Sequence, residues 1–149
     1  TYDVMAALEG LSGELACQNI TEEDVAAIQR LHETMLTHYR KRELQPYFRV
    51  NQQIHERIVA AADNEVLEEM YNNLSQRVKR VRYSKKMTDD SWQRAVEDHE
   101  AMIDALQKRD GPMLGRILRE HLCTKLEVAS LEGMIEAEED ELPSQAASS

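Results

Sequence analysis

Cysteine, proline, glycine and aromatic side chains are all scarce in this 149-residue chain, and basic residues are outnumbered by acidic ones. Its two cysteines, Cys17 and Cys123, stand far apart and outside any CxxC spacing. That excludes a disulfide framework and suits a reducing compartment. No run reaches the roughly 18–20 apolar residues that span a bilayer, and no signal-peptide pattern opens the chain. A transmembrane protein is therefore not expected, and a cytoplasmic one is. Eighteen Lys and Arg against 28 Asp and Glu give a net charge of −10. This argues against the chain gripping nucleic acid alone, because nonspecific affinity comes from neutralising phosphates with basic side chains. The length suits one domain, and the start at Thr1 rather than Met suggests an excised or processed piece.

What is abundant is the composition of helices: Leu, Ala, Glu, Gln, Lys, Arg and Met, without Val/Ile/Tyr alternation. The pattern predicts six helices, at about Tyr2–Cys17, Thr21–Glu43, Pro46–Ala62, Glu65–Lys86, Thr88–Arg109 and Pro112–Ala137. Thr21-Glu-Glu-Asp24 resembles a capping box, Pro46 suits a first helical turn, and Thr88 to Ser91 offers N-caps. Residues 138–149, acidic and then Ser-rich, read as a disordered tail. Short connections between amphipathic helices predict an all-α, mostly antiparallel bundle.

Placing residues at 100° intervals assigns the buried faces. The expected stripes are Val4, Leu8, Leu11 and Leu15 on the first helix, and Val66, Leu67, Met70, Leu74, Val78 and Val81 on the fourth. The third helix buries Tyr47, Phe48, Val50, Ile54, Ile58 and Val59, the fifth Trp92, Val96, Met102, Ile103 and Leu106. The sixth buries Met113, Leu114, Ile117, Leu118, Val128, Leu131 and Ile135. Polar residues interrupt these stripes. Asn51 and His55, four residues apart, project side by side into the third, His99 lies within the fifth and His121 within the sixth. Arg77 falls in the core sector of the fourth helix, where a guanidinium needs an anion to offset desolvation. His32 also falls on an apolar face, His38 sits at its margin, and Glu9 lies at the edge of the first stripe. A single inward histidine is usually a hydrogen-bonded core residue, whereas three from three helices with an open position resemble a zinc site. Spacing alone leaves both readings open.

Three segments together resemble a family. Asn51-Gln-Gln-Ile-His55 with Ala-Ala-Asp-Asn64 is similar to the D-x-x-F-H…A-x-x-N segment of the FCD effector domain. Val96-Glu-Asp-His99 through Leu106, then Arg109-Asp110, is similar to its second histidine segment, and Arg119-Glu-His121-Leu122 to its third. The resemblance runs from about Tyr2 to Leu131. FCD domains form the ligand-sensing C-terminal half of FadR-like regulators in the GntR superfamily. The resemblance implies an FCD-like effector-binding and dimerisation domain over residues 1–137, with a winged-helix DNA-binding domain preceding it in the parent protein. It further implies a bundle around a central cavity, with a divalent metal at Asn51, His55, His99 and His121. Zinc is expected, with nickel or manganese as options. Arg77 would clamp a small carboxylate effector and Glu9 would line the same space. Two positions depart from the pattern: Asn51 replaces the usual Asp, and Met5 stands where a first-helix Arg is usual.

The expected function is therefore effector sensing and homodimerisation in a transcription regulator that reaches DNA only through a separate domain, and not an enzyme. The rivals are a helical zinc-dependent hydrolase and a plain helical interaction module. Against the hydrolase, His32-Glu33, His55-Glu56 and His99-Glu100 never extend to HExxH, and no inward carboxylate is evident beside the histidines.

Overall fold

Four helix starts are set by short polar side chains that accept a free backbone N–H. Thr21 accepts from Asp24 at 3.2 Å, Asn64 from Leu67 at 3.1 Å, Thr88 from Ser91 at 3.2 Å and Asp110 from Met113 at 3.1 Å. The computed structural model describes residues 2–84 and 87–121, with side chains over 3–76 and 87–121. Its helices are α1 (Tyr2–Asn19), α2 (Glu22–Arg40), α3 (Leu44–Ala61), α4 (Glu65–Ser84) and α5 (Asp89–Gln107), with α6 over residues 111–121. The all-α bundle expected from the sequence is the fold observed. The expected tail, the thiol of Cys123, and Val78, Val81, Val128, Leu131 and Ile135 lie outside the residues whose side chains are described.

Helices α2 and α5 end sooner than expected, for one reason. Arg42 and Arg109 adopt φ of 60° and 56°, the left-handed region that ends a helix. The N–H of Glu43 bonds the His38 carbonyl at 2.9 Å and that of Asp110 bonds the Ala105 carbonyl at 2.9 Å, closing both ends. Neither residue is glycine, so each conformation costs on the order of 1 kcal/mol. The side chains offset this. Arg42 lies over the Tyr39 ring at 5.1 Å and the Trp92 ring at 5.6 Å. Arg109 donates to the Ile20 carbonyl and to Glu22, tying the α5–α6 turn to the α1–α2 turn.

Helices α2 and α5 run antiparallel. Tyr39 meets Trp92 and His32 meets His99, which sets α2 against α5. Tyr47 meets Trp92 and His55 meets His99, so α3 and α5 run parallel with α2 against both. The main core joins Ile28 and Met35 of α2, Tyr47, Ile54 and Ile58 of α3, Trp92, Met102 and Leu106 of α5, and Leu114 and Leu118 of α6. A smaller one joins Met5, Ala6 and Leu8 of α1, Val59 and Ala62, and Leu67 and Tyr71 of α4.

Two expected faces are corrected. On α1, Val4 and Leu11 are 47% and 42% exposed, whereas Met5, Glu9, Ser12 and Ala16 are buried. On α4, Leu67 is buried as expected, but Val66 and Met70 are 68% and 46% exposed, and Tyr71 and Ser75 turn inward instead. Met113 of α6 is also exposed, and Gln52 of α3 is buried. For α1 the cause is close approach. A Cβ on Gly115 would lie 2.8 Å from the Gly10 carbonyl oxygen, and one on Gly13 would lie 2.7 Å from Leu118 Cδ1. Glycine permits this α1–α6 contact, so the face that packs is the small one.

Candidate metal centre

The histidines meet because three helices bring the same level of the bundle together. On α3, the buried arc that takes Ile54 and Ile58 inward also takes Asn51 and His55. On α5, His99 follows Trp92 by seven residues, two turns along one buried face, and on α6 His121 follows Leu114 by the same interval. His55 and His99 are each 1% exposed and His121 is 7% exposed. One ligand nitrogen from each of the three lies within 4.8 Å of the other two. Their ring centroids are separated by 5.4 Å (His55–His99), 5.3 Å (His99–His121) and 6.2 Å (His55–His121).

Two carboxylates stand behind this triad. The His121 Nδ1 pairs with Asp98 Oδ2 at 2.8 Å, and His55 Nδ1 lies 3.2 Å from Glu9 Oε2. The first is an aligned hydrogen bond; the second has the distance of one without the alignment, since His55 Nδ1 completes no hydrogen bond. A carboxylate accepts only, so the aligned pairing places the His121 ring proton on Nδ1. The Nε2 of His55 is buried and makes no hydrogen bond among the described residues. Imidazoles so oriented, with carboxylates behind them, are the donor set of a divalent metal site, and the residues fit that group. When bound, zinc would supply a Lewis-acidic centre with a position open to a ligand oxygen.

Glu9 is 1% exposed, so the edge position expected on α1 is in fact interior. Its Oε1 accepts from the Tyr71 hydroxyl at 3.3 Å while Oε2 faces His55. An inward carboxylate, Glu9, therefore does stand beside the histidines, contrary to the sequence expectation, and it and the half-exposed Asp98 both face Nδ1 atoms. Asn51 is 6% exposed and its buried Oδ1 makes no hydrogen bond among the described residues, an oxygen one turn from His55 on the same face. Arg77 belongs to α4, but its side chain lies outside the described residues.

His32 is not among the three clustered ligand atoms, yet it lies beside them. Its ring stacks on His99 with centroids 6.5 Å apart and planes 10° from parallel. Burial holds its pKa below the ordinary imidazole value, opposed by Glu100 and Glu33. His38, by contrast, pairs with Glu43 at 3.2 Å near the surface. Sequence reasoning missed Asp98 and Tyr71. Asp98 is half-exposed and carried no periodicity signal, and Tyr71 reads as an ordinary aromatic until α4 is rotated to its true face.

The FCD domain family matches residues 1–124, most of the chain. The chain belongs to the FCD domain family. It is 28% identical over 120 residues to the HTH-type transcriptional repressor RspR of Escherichia coli K12, covering 80% of this chain and 52% of that protein. The same figures hold for the uncharacterised HTH-type transcriptional regulator YdfH of Shigella flexneri. The chain thus spans about half the length of the curated relatives it matches. Among solved structures, E. coli McbR/YncC shares the fold with a TM-score of 0.78 at 20% identity, covering 87% of this chain and 65% of that one. The named relatives of this FCD domain are regulators rather than enzymes. No described helix is long and apolar enough to cross a membrane.

Proposed function

We propose that this FCD domain is the effector-sensing half of a cytoplasmic transcription regulator. In this reading it binds a small carboxylate at a divalent metal, most simply zinc, and alters operator binding by a separate winged-helix domain. The observation that carries the reading is the buried His55, His99 and His121 triad, whose ligand atoms lie within 4.8 Å of one another. Asn51 offers a fourth, neutral oxygen, and Arg77 of α4 is the effector clamp. Glu9 acts behind the metal rather than on the effector, because it is turned to His55 and Tyr71. The domain spans residues 1–137 in this proposal and works as a homodimer, so that a ligand favouring one arrangement of the bundle shifts the spacing of two DNA-binding domains. The relatives RspR and YdfH, both HTH-type regulators, support that division of labour.

The test is elemental analysis of chelator-free protein with a zinc competition titration. About one metal per chain is expected, lost on chelation with a fall in Tm and abolished in the His55/His99/His121 triple alanine variant. Glu9→Gln is expected to weaken zinc about 10–100-fold while leaving one site per chain. Retained metal in the triple variant, or no binding after zinc and nickel resupply, overturns the proposal.

A further inference from the structure

Helix α4 sits in the bundle against its own hydrophobicity. Val66 and Met70 face outward, while Tyr71 and Ser75, each with a hydroxyl, are 1% and 4% exposed. Ser75 Oγ donates to the Asn72 carbonyl of its own helix at 3.0 Å, so it is satisfied locally. The Tyr71 hydroxyl instead leaves its helix and donates to Glu9 Oε1 on α1 at 3.3 Å. Phenylalanine would fill the same space with no hydroxyl to satisfy, so packing alone does not account for a tyrosine here.

Glu9 is the other half of the observation. A carboxylate taken out of water is costly unless it is paired and hydrogen-bonded. The two oxygens of Glu9 are divided between two helices: Oε1 accepts from Tyr71 of α4, and Oε2 stands 3.2 Å from His55 Nδ1 of α3. Tyr71, Glu9 and His55 are each 1% exposed, so three helices are joined through groups that water does not reach. In such surroundings a polar contact is strong and sensitive to position. The carboxylate on the other side of the triad differs, because Asp98 is half-exposed and solvent shares in its pairing with His121. His55 turns Nδ1 toward Glu9, which makes Nε2 the nitrogen left to ligate. An imidazole that ligates through Nε2 carries its proton on Nδ1, and a carboxylate behind that proton orients the ring.

We propose that Tyr71 is a positioning residue of the metal centre: through Glu9 it holds His55 in place, and α4 is fastened to α1 when the triad is loaded. This rests on the reading of the triad as a metal site. The coupling is reciprocal by linkage. Seating Tyr71 on Glu9 tightens metal binding at His55, and a loaded His55 seats Glu9 against Tyr71. Arg77 stands on the same helix as Tyr71, so the loaded state also steadies the helix that carries the proposed effector clamp.

The test measures zinc affinity by competition, and amide hydrogen exchange in α4 with and without zinc. Tyr71→Phe removes only the hydroxyl and is expected to weaken zinc about three- to tenfold. Glu9→Gln weakens it more, and the Tyr71→Phe/Glu9→Gln double variant is no weaker than Glu9→Gln alone, because the phenol acts through the carboxylate. In the wild type, zinc is expected to slow α4 exchange about fivefold or more, and in zinc-saturated Tyr71→Phe by less than about twofold. Asp98→Asn is the control: it weakens zinc through His121, yet at saturation it keeps the slowing in α4. A merely structural tyrosine would lower Tm and leave zinc affinity within about twofold of wild type, which overturns the proposal. So do losses that add in the double variant, or equal slowing of α4 in Tyr71→Phe and wild type. If the wild type takes up no zinc at all, the metal-site reading has failed and this role of Tyr71 falls with it.

Discussion

Helices α3 and α5 bury the faces that their apolar periodicity marks, whereas α1 and α4 do not. On α3 and α5 every large apolar residue of the expected stripe is inside, and the polar residues caught in that stripe, Asn51, His55 and His99, are inside with them. On α1 and α4, Val4, Leu11, Val66 and Met70 are exposed, while Glu9, Ser12 and Ser75 are buried. The difference lies in how much of each helix is covered. Helix α3 packs against α1, α2 and α4 and meets α5 through its rings, so a wide arc is enclosed and a coarse periodicity finds it. Helix α1 must pass close to α6, and only glycine and other small residues allow that approach. Periodicity weighs hydrophobicity and is blind to size, so it favours Leu11 over Gly10 and Gly13.

That comparison can be broken by substitution. Truncating Ile54, fully buried on α3, to alanine should cost about 2–5 kcal/mol in chemical denaturation, because the cavity is surrounded by packed core. A cost below about 1 kcal/mol would mean that the enclosed arc is looser than its burial indicates. Gly115→Ala should cost about 1–3 kcal/mol, since the new methyl meets the Gly10 carbonyl oxygen at 2.8 Å and the two helices must part. A neutral result would show that α1 and α6 are not locked together. The smallest effect is expected from Val66→Ser, within about 0.5 kcal/mol of wild type because the side chain is 68% exposed. A larger loss would restore the face that periodicity first indicated.

The site divides along the same line. His55 and His99 were legible because they stand on helices whose stripes were read correctly, and His121 because it shares the buried face of Leu114 and Leu118 even though Met113 of that stripe is exposed. Asn51 was legible for the same reason, being one turn from His55. The carboxylates behind them were not. Glu9 comes from α1, whose face was misread, and meets a residue 46 positions away in sequence on α3. Asp98 precedes His99 directly but serves His121, a pairing that exists only because α5 and α6 are adjacent. His32 stood out as an inward imidazole, but its stacking on His99 rather than a place in the triad is a matter of how α2 crosses α5.

By itself, then, the amino-acid order determined the helices, their starts at Thr21 and Thr88, and the inward turn of Asn51, His55, His99 and His121. These follow from capping and from a 3.6-residue period, which are local. Tertiary structure alone decided which side of α1 and α4 is buried and which carboxylate addresses which imidazole. Those depend on the separation of helix axes and on the meeting of side chains far apart in the chain. Both are set by the shape and volume of whole helices, quantities that no local window of sequence contains.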